Sequence, residues 1–194
     1  MSDRDIRYTP GGIEIRSDVR KGDGTIGTIR GYSAVFDSPS EDLGGFREFI
    51  APGAFTRTLA DGADVRGLLN HDSNLILGRT ASGTMRMGED KRGLWYEIDV
   101  PDTQTGRDTL VSIKRGDVSG SSFAFLAKDD KWETVDGEQQ RTLLDVDLYD
   151  SGPVTTPAYP ATVAAASMRS LEAVIHPNLV KCEAIIAAWL AKKL

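Results

Sequence analysis

Strict alternation is the feature that most constrains this chain. In the stretch Leu94 to Val100, the residues Leu94, Tyr96, Ile98 and Val100 share one face of an extended segment, while Glu97 and Asp99 point the other way. A period of two buries one side of a sheet and cannot form the stripe of a helix. The pattern recurs. Thr25 to Phe36 is rich in β-branched and aromatic residues, and Ile13 to Arg16, Phe46 to Ile50, Val65 to Asn70 and Val118 to Leu126 read as further strands. Thr84 to Met87 pairs with Leu94 to Val100 as a hairpin, and Lys131 to Val135 pairs with Arg141 to Leu148 across Asp136-Gly137. In that last arm Leu144, Val146 and Leu148 share a face with Asp150, opposite Asp145 and Asp147. Helical spacing is confined to Pro52–Ala60, to Thr103–Arg115 with Gly116 as its stop, and to an amphipathic segment from Pro177 carrying Leu179, Cys182, Ile186 and Trp189. Many strands with a few interspersed helices imply an antiparallel barrel or sandwich decorated by helices. The first dozen residues, polar and ending in Pro10-Gly11-Gly12, read as a loose arm or a first edge strand.

Composition removes several classes. At 194 residues the chain suits one domain with a buried core. Hydrophobic residues at 40% exclude a disordered chain, and no run approaches the roughly 18 apolar residues of a spanning helix. Met1-Ser2-Asp3-Arg4-Asp5 does not read as a secretory signal. One cysteine excludes an intrachain disulfide framework and fits a reducing compartment. A net charge of -6 argues against a surface that neutralises phosphates. Two distant histidines and one cysteine do not supply a zinc site, and phosphate-binding glycine motifs are absent. The expectation is a soluble intracellular protein with no cofactor, no metal, no nucleic-acid partner and no membrane contact.

The residues able to do chemistry are therefore few. His71 lies where an apolar strand meets a loop, between Asn70 and Asp72; it is either a surface histidine or a base held rigidly at the edge of a cleft. His176, before Pro177, reads as a capping or solvent-exposed residue. In Gly116-Asp117-Val118-Ser119-Gly120-Ser121-Ser122-Phe123-Ala124-Phe125, alternation puts Ser121 on the face of the two phenylalanines and Ser122 on the other, beside Gly120 and Ala124. If the phenylalanines point inward, Ser122 looks out with room for a substrate; otherwise these are half-exposed strand serines. A serine nucleophile needs a base and an orienting group behind it, and His71 is the only well-placed base. The run is not the Gly-x-Ser-x-Gly elbow of the α/β hydrolases. Cys182 reads as a core-facing residue of the terminal helix.

Gly31-Tyr32-Ser33-Ala34-Val35-Phe36, Phe46-Arg47-Glu48-Phe49-Ile50-Ala51-Pro52-Gly53-Ala54-Phe55, Leu69-Asn70-His71-Asp72, Leu77-Gly78-Arg79-Thr80, the serine run and Pro157-Ala158-Tyr159-Pro160 together resemble the prohead maturation proteases of tailed phages. The resemblance covers roughly Gly27 to Ala166. It implies an α+β fold, a closed antiparallel β-barrel surrounded by helices, as in the related herpesvirus assemblins. It also implies a serine peptidase that cuts the scaffolding part of the capsid protein, and then itself, inside the assembling procapsid in the host cytoplasm. By its motifs His71 matches the family histidine and Ser122 the nucleophile. The family usually has a Glu followed by an apolar-Ser-apolar segment; here Asp150 is followed by Ser151-Gly152-Pro153-Val154, and Asp150 is the candidate orienting acid.

The chain divides on this reading into an arm and first strand over 1–26, a peptidase barrel over 27–167 and a terminal helix over 168–194. Oxyanion donors are expected near Val154 to Thr156, and the terminal helix is expected to join two copies. The rival reading is a procapsid assembly protein that kept the barrel and lost activity, favoured by the Asp150-Ser151-Gly152-Pro153 departure.

Overall fold

A computed structural model describes residues 4–10, 12–16 and 24–155. The strands are β1 (Asp5–Thr9), β2 (Glu14–Arg16), β3 (Thr25–Val35), β4 (Phe46–Ile50), β5 (Arg66–Leu68), β6 (Ile76–Arg79), β7 (Met85–Glu89), β8 (Gly93–Pro101), β9 (Gly120–Val135) and β10 (Glu138–Val154). Between them lie α1 (Thr56–Ala60) and α2 (Gln104–Arg115). Of the two readings of the leading segment, the edge strand is the one realised: Asp5–Thr9 lies at the edge of one sheet, and Glu14–Arg16, read as a strand from its alternation, lies at the edge of the other. The terminal helix expected over 168–194, with His176, Cys182 and Trp189, lies outside the described residues.

One sheet has the order β1-β9-β10-β5-β6, with β4 also paired to β10; the other runs β2-β3-β8-β7. They enclose one core. Ile29, Leu94, Tyr96, Ile98 and Val100 come from the second sheet, and Phe123, Phe125, Leu143, Val146 and Leu148 from the first. The alternation of Leu94 to Val100 is realised as written, with all four apolar residues at 0% exposure. Phe55, just before α1, closes one end by meeting Phe123 edge-on, with ring centroids 5.4 Å apart. Thr103 caps α2 by accepting from the Gly106 N–H, and Gly116 ends it in the left-handed conformation.

The expected α+β class and closed, helix-surrounded barrel are corrected by this arrangement. Strands make up 54% of the described residues, and the two sheets remain separate, each with free ends to its ladder. Helices are few: the α1 and α2 segments are the two among the described residues. Alternation reports which face of a strand is buried; it carries no information about which edges meet.

The longest hairpin departs from simple alternation in a way that matters for function. β9 and β10 turn through Asp136 and Gly137, both at positive φ, as the sequence pattern implies. Register shifts then fall between Leu143 and Asp145 and between Leu148 and Asp150. The first leaves Leu144 exposed and buries Leu143, reversing the expected face for that position. The second makes Tyr149 the extra residue. Asp150 therefore pairs with Ala124 and Gly152 with Ser122, whereas Leu148 pairs with Phe125 and Ser151 with Phe123. Asp150 is not on the face of Leu148, as strict alternation required; the bulge delivers it to the face that carries Ser122.

Candidate active site

Three strand segments meet around Ser122. β9 supplies Ser122 two residues into the strand, and β10 runs antiparallel beside it. β5 pairs in parallel with β10 at Arg66↔Asp150 and Gly67↔Ser151, so the loop that follows β5 emerges next to Asp150. That close approach depends on Gly152, where a Cβ would lie 2.1 Å from the Leu68 carbonyl oxygen. The loop then turns through two consecutive residues at positive φ, Asn70 (55°) and His71 (57°). Asparagine tolerates this region better than most residues. Here it is also latched: the Asn70 N–H donates to the Pro153 carbonyl (3.1 Å), and Asn70 Oδ1 accepts from the Thr155 N–H (2.9 Å).

The result is a contiguous line of side chains. His71 Nε2 lies 2.6 Å from Ser122 Oγ, and His71 Nδ1 lies 2.5 Å from Asp150 Oδ1. A carboxylate only accepts, so Nδ1 carries the proton and donates to Asp150, leaving the Nε2 lone pair facing the serine hydroxyl. Both partners are shielded, with side-chain exposures of 15% for His71 and 10% for Asp150. All three residues singled out from the sequence are thus brought together. Asp72, the neighbouring acid, is turned away and accepts from the Asn74 backbone and side-chain amides. The Thr155 N–H, within the stretch expected to hold oxyanion donors, is engaged by Asn70.

Behind the site a set of small hydroxyls joins the two sheets. Ser33 Oγ contacts Ser151 Oγ, and Tyr96 Oη is 2.9 Å from Ser121 Oγ, all fully buried. Burial pushes the Tyr96 hydroxyl well above its ordinary range, so it stays neutral and can donate. Ser121 therefore has a structural partner in the core and is separated from Ser122 by the pleat, as alternation requires.

What the sequence did not reveal is the cover over Ser122. β1 pairs antiparallel with β9, with Tyr8 opposite Ser122, and the Arg7 carbonyl oxygen accepts from Ser122 Oγ at 2.7 Å. Ser122 is 2% exposed rather than open. β1 is held by buried charges: Arg7 makes a two-pronged pair with Glu48 at 2.6 and 2.9 Å, and Arg141 bonds Glu48 at 3.1 Å and Asp130 at 2.7 Å. Burial alone would lower the Arg7 guanidinium, but Glu48 and Asp5 outweigh it and hold it above its usual value. Charged residues in a short polar segment read as solvated when their partners are about 40 or more positions away, so no local signal marked them as buried.

The sequence profile of the caudovirus prohead serine proteases matches residues 12–177. The chain belongs to the caudovirus prohead serine protease family. Within this prohead protease family, it is 33% identical over 113 residues to the prohead protease of Enterobacteria phage HK97. That match spans 56% of this chain and 47% of the relative, so the chain covers about half the length of the HK97 protein. In three dimensions it is similar to the capsid assembly protease gp21 of bacteriophage T4, with a TM-score of 0.52 over 80% of this chain and 100% of that one, at 13% identity. At that identity the likeness concerns fold. Among the described residues no group of three or more His, Cys, Asp or Glu is placed to hold a metal ion, and no helix is long and apolar enough to cross a membrane.

Proposed function

We propose that this protein is a serine endopeptidase of procapsid maturation, acting on the scaffolding part of the capsid protein and on itself. The observation that carries the reading is the unbroken contact from Asp150 Oδ1 through His71 Nδ1 and Nε2 to Ser122 Oγ, at 2.5 and 2.6 Å. In this reading Ser122 Oγ attacks the scissile carbonyl carbon while its proton passes to His71 Nε2. Asp150 keeps Nδ1 protonated and stabilises the imidazolium that forms. His71 then gives the proton to the departing amine, leaving an acyl group on Ser122. Water, activated by the same nitrogen, hydrolyses that ester and restores the hydroxyl. Family membership supports the peptidase class and the procapsid setting. The rival, an assembly protein without activity, rested on the Asp150-Ser151-Gly152-Pro153 segment; the bulge at Tyr149 and the notch at Gly152 allow that segment to present its carboxylate to His71 after all.

The test is co-expression with a capsid precursor, followed by mass spectrometry of the fragment termini. The wild-type chain should release the scaffolding segment and trim itself, and Ser122→Ala should do neither while melting within a few degrees of wild type. Equal fragmentation by Ser122→Ala would end the proposal.

A further inference from the structure

The segment that carries the base crosses the strand that carries the acid at a residue without a side chain. β5 pairs in parallel with β10 as far as Gly67↔Ser151, and the next residue, Leu68, lies against Gly152. A Cβ on Gly152 would stand 2.1 Å from the Leu68 carbonyl oxygen, 3.0 Å from its nitrogen and 3.1 Å from its carbonyl carbon. All three are backbone atoms, which cannot swing aside as the end of a long side chain can. Gly152 pairs with Ser122 and Asp150 with Ala124. The missing Cβ and the Asp150 side chain therefore leave the same face of the sheet in the same direction. Three residues beyond Leu68 stands His71, whose Nδ1 is 2.5 Å from Asp150 Oδ1, at the short end of hydrogen-bond lengths. The turn between them moves as one body. The Leu69 N–H donates to the Leu75 carbonyl (3.1 Å), the Asp72 N–H to the Leu69 carbonyl (3.1 Å) and the Leu75 N–H to the Asp72 carbonyl (2.9 Å).

We propose that Gly152 is a positioning residue: its bare backbone sets the height of His71 above the sheet to the reach of an aspartate. This rests on the triad reading given above. Two lengths argue for the match. Moving the Leu68 oxygen from 2.1 Å to ordinary contact at about 3.4 Å would lift it by roughly 1.3 Å. One added methylene extends a carboxylate side chain by about 1.3 Å, because a C–C bond of ~1.5 Å advances obliquely along a staggered chain. A side chain at position 152 and a longer acid at position 150 are thus displacements of similar size along one direction. Each offsets the other. With Gly152 in place, a longer acid meets a ring already at closest approach and must fold away or push it. With the loop lifted, aspartate falls short and the longer acid reaches Nδ1. The same lift also lengthens the 2.6 Å contact between His71 Nε2 and Ser122 Oγ. That loss is common to every chain carrying Gly152→Ala, whichever acid it has, and drops out of a comparison between them.

The test compares four full-length proteins: wild type, Asp150→Glu, Gly152→Ala and the double variant. An alkyl fluorophosphonate reports on the site without a natural substrate. Ser122 Oγ forms a bond to phosphorus, the phosphorus–fluorine bond breaks and fluoride leaves, and the hydroxyl proton passes through His71 to solvent. With Gly152 in place, Asp150→Glu should slow labelling about fivefold or more. In the Gly152→Ala chain the same substitution should speed it about threefold or more. This change of sign separates positioning from packing, since a purely structural glycine would leave Asp150→Glu acting in the same direction in both chains. Melting temperature should fall with Gly152→Ala and should not be recovered by Asp150→Glu. An effect of Asp150→Glu with the same sign and similar size in both chains overturns the match. So does Asp150→Glu labelling as fast as wild type, a result that needs no substitution at Gly152 and stands even where Gly152→Ala fails to fold. A wild-type chain that does not label at Ser122 overturns the triad, and this proposal with it.

Discussion

Replacing Asp150 by asparagine isolates the electrostatic part of the site. The side chains are nearly the same shape, so the strand pairing of Asp150 with Ala124 and Arg66 should survive. Two effects then act on turnover. The negative charge beside the forming imidazolium is lost; at this degree of shielding, with His71 and Asp150 15% and 10% exposed, a pair about 4 Å between charge centres is worth roughly 4 kcal/mol at an effective dielectric near 20. An amide nitrogen facing His71 would also hold the ring with its proton on Nε2, where it cannot accept from Ser122. At about 1.4 kcal/mol per factor of ten, the charge alone accounts for nearly 10³, and the tautomer brings the expected loss to about 10³–10⁴. The assay is the single-turnover rate of Ser122 phosphonylation, read beside cleavage of a capsid precursor, with melting temperature as the control for folding. Asp150→Glu, which keeps the carboxylate on a side chain one methylene longer, should retain clearly more activity than Asp150→Asn. If Asp150→Asn labels within about tenfold of wild type and melts normally, Asp150 does not orient the base and the charge argument is wrong.

Three further outcomes follow from the packing. Gly152→Ala places a methyl 2.1 Å from the Leu68 backbone oxygen, which should cost about 1–3 kcal/mol by urea denaturation and slow labelling by parting the His71 loop from Asp150. Tyr96→Phe removes a hydrogen-bond partner of the fully buried Ser121 hydroxyl and should cost about 1–3 kcal/mol while leaving labelling close to wild type; a large loss of activity would show that the hydroxyls behind the site do more than join the sheets. Hydrogen bonds from Arg79 hold the Asp64 carboxyl below its usual range, and those from Arg57 do the same for Asp147. Their stabilising contributions are complete above the unfolded carboxylate value of about 4 and are lost as pH falls through the lower folded values. Melting temperature should therefore decline on acidification below that value, less steeply in Asp147→Asn, and a pH-independent profile would contradict the pairing.

The sequence made some of this site legible and hid the rest for identifiable reasons. Ser122, His71 and the faces of Ser121 and Phe123 could be read because alternation and the scarcity of histidine left few alternatives. The position of Asp150 could not, because alternation assigned it to the face of Leu148 and only a one-residue bulge corrects that. Bulges are backbone events without a reliable local signature, and the same limitation reversed Leu143 and Leu144. The cover over Ser122 was missed because Asp5, Arg7, Glu48 and Arg141 are charged residues whose burial depends wholly on one another. Sheet closure was misjudged because pairing of distant edges is not written in any local pattern.

Ser122, Asp150 and the latch on the His71 loop are all attached to one hydrogen-bonded ladder, at Ser122↔Gly152, Ala124↔Asp150 and Asn70 to Pro153. The spacing of nucleophile, base and acid is therefore set by strand register rather than by how well side chains settle in a core. Register changes only in whole residues. A slip of one position along β10 would exchange Asp150 for Ser151 and face the carboxylate into the hydrophobic interior. Such a molecule would lack its acid altogether, and a population of these chains would contain fully assembled and wholly inert members with no graded series between them. Incomplete folding should then lower the number of active sites found by titration while leaving the rate per titrated site unchanged.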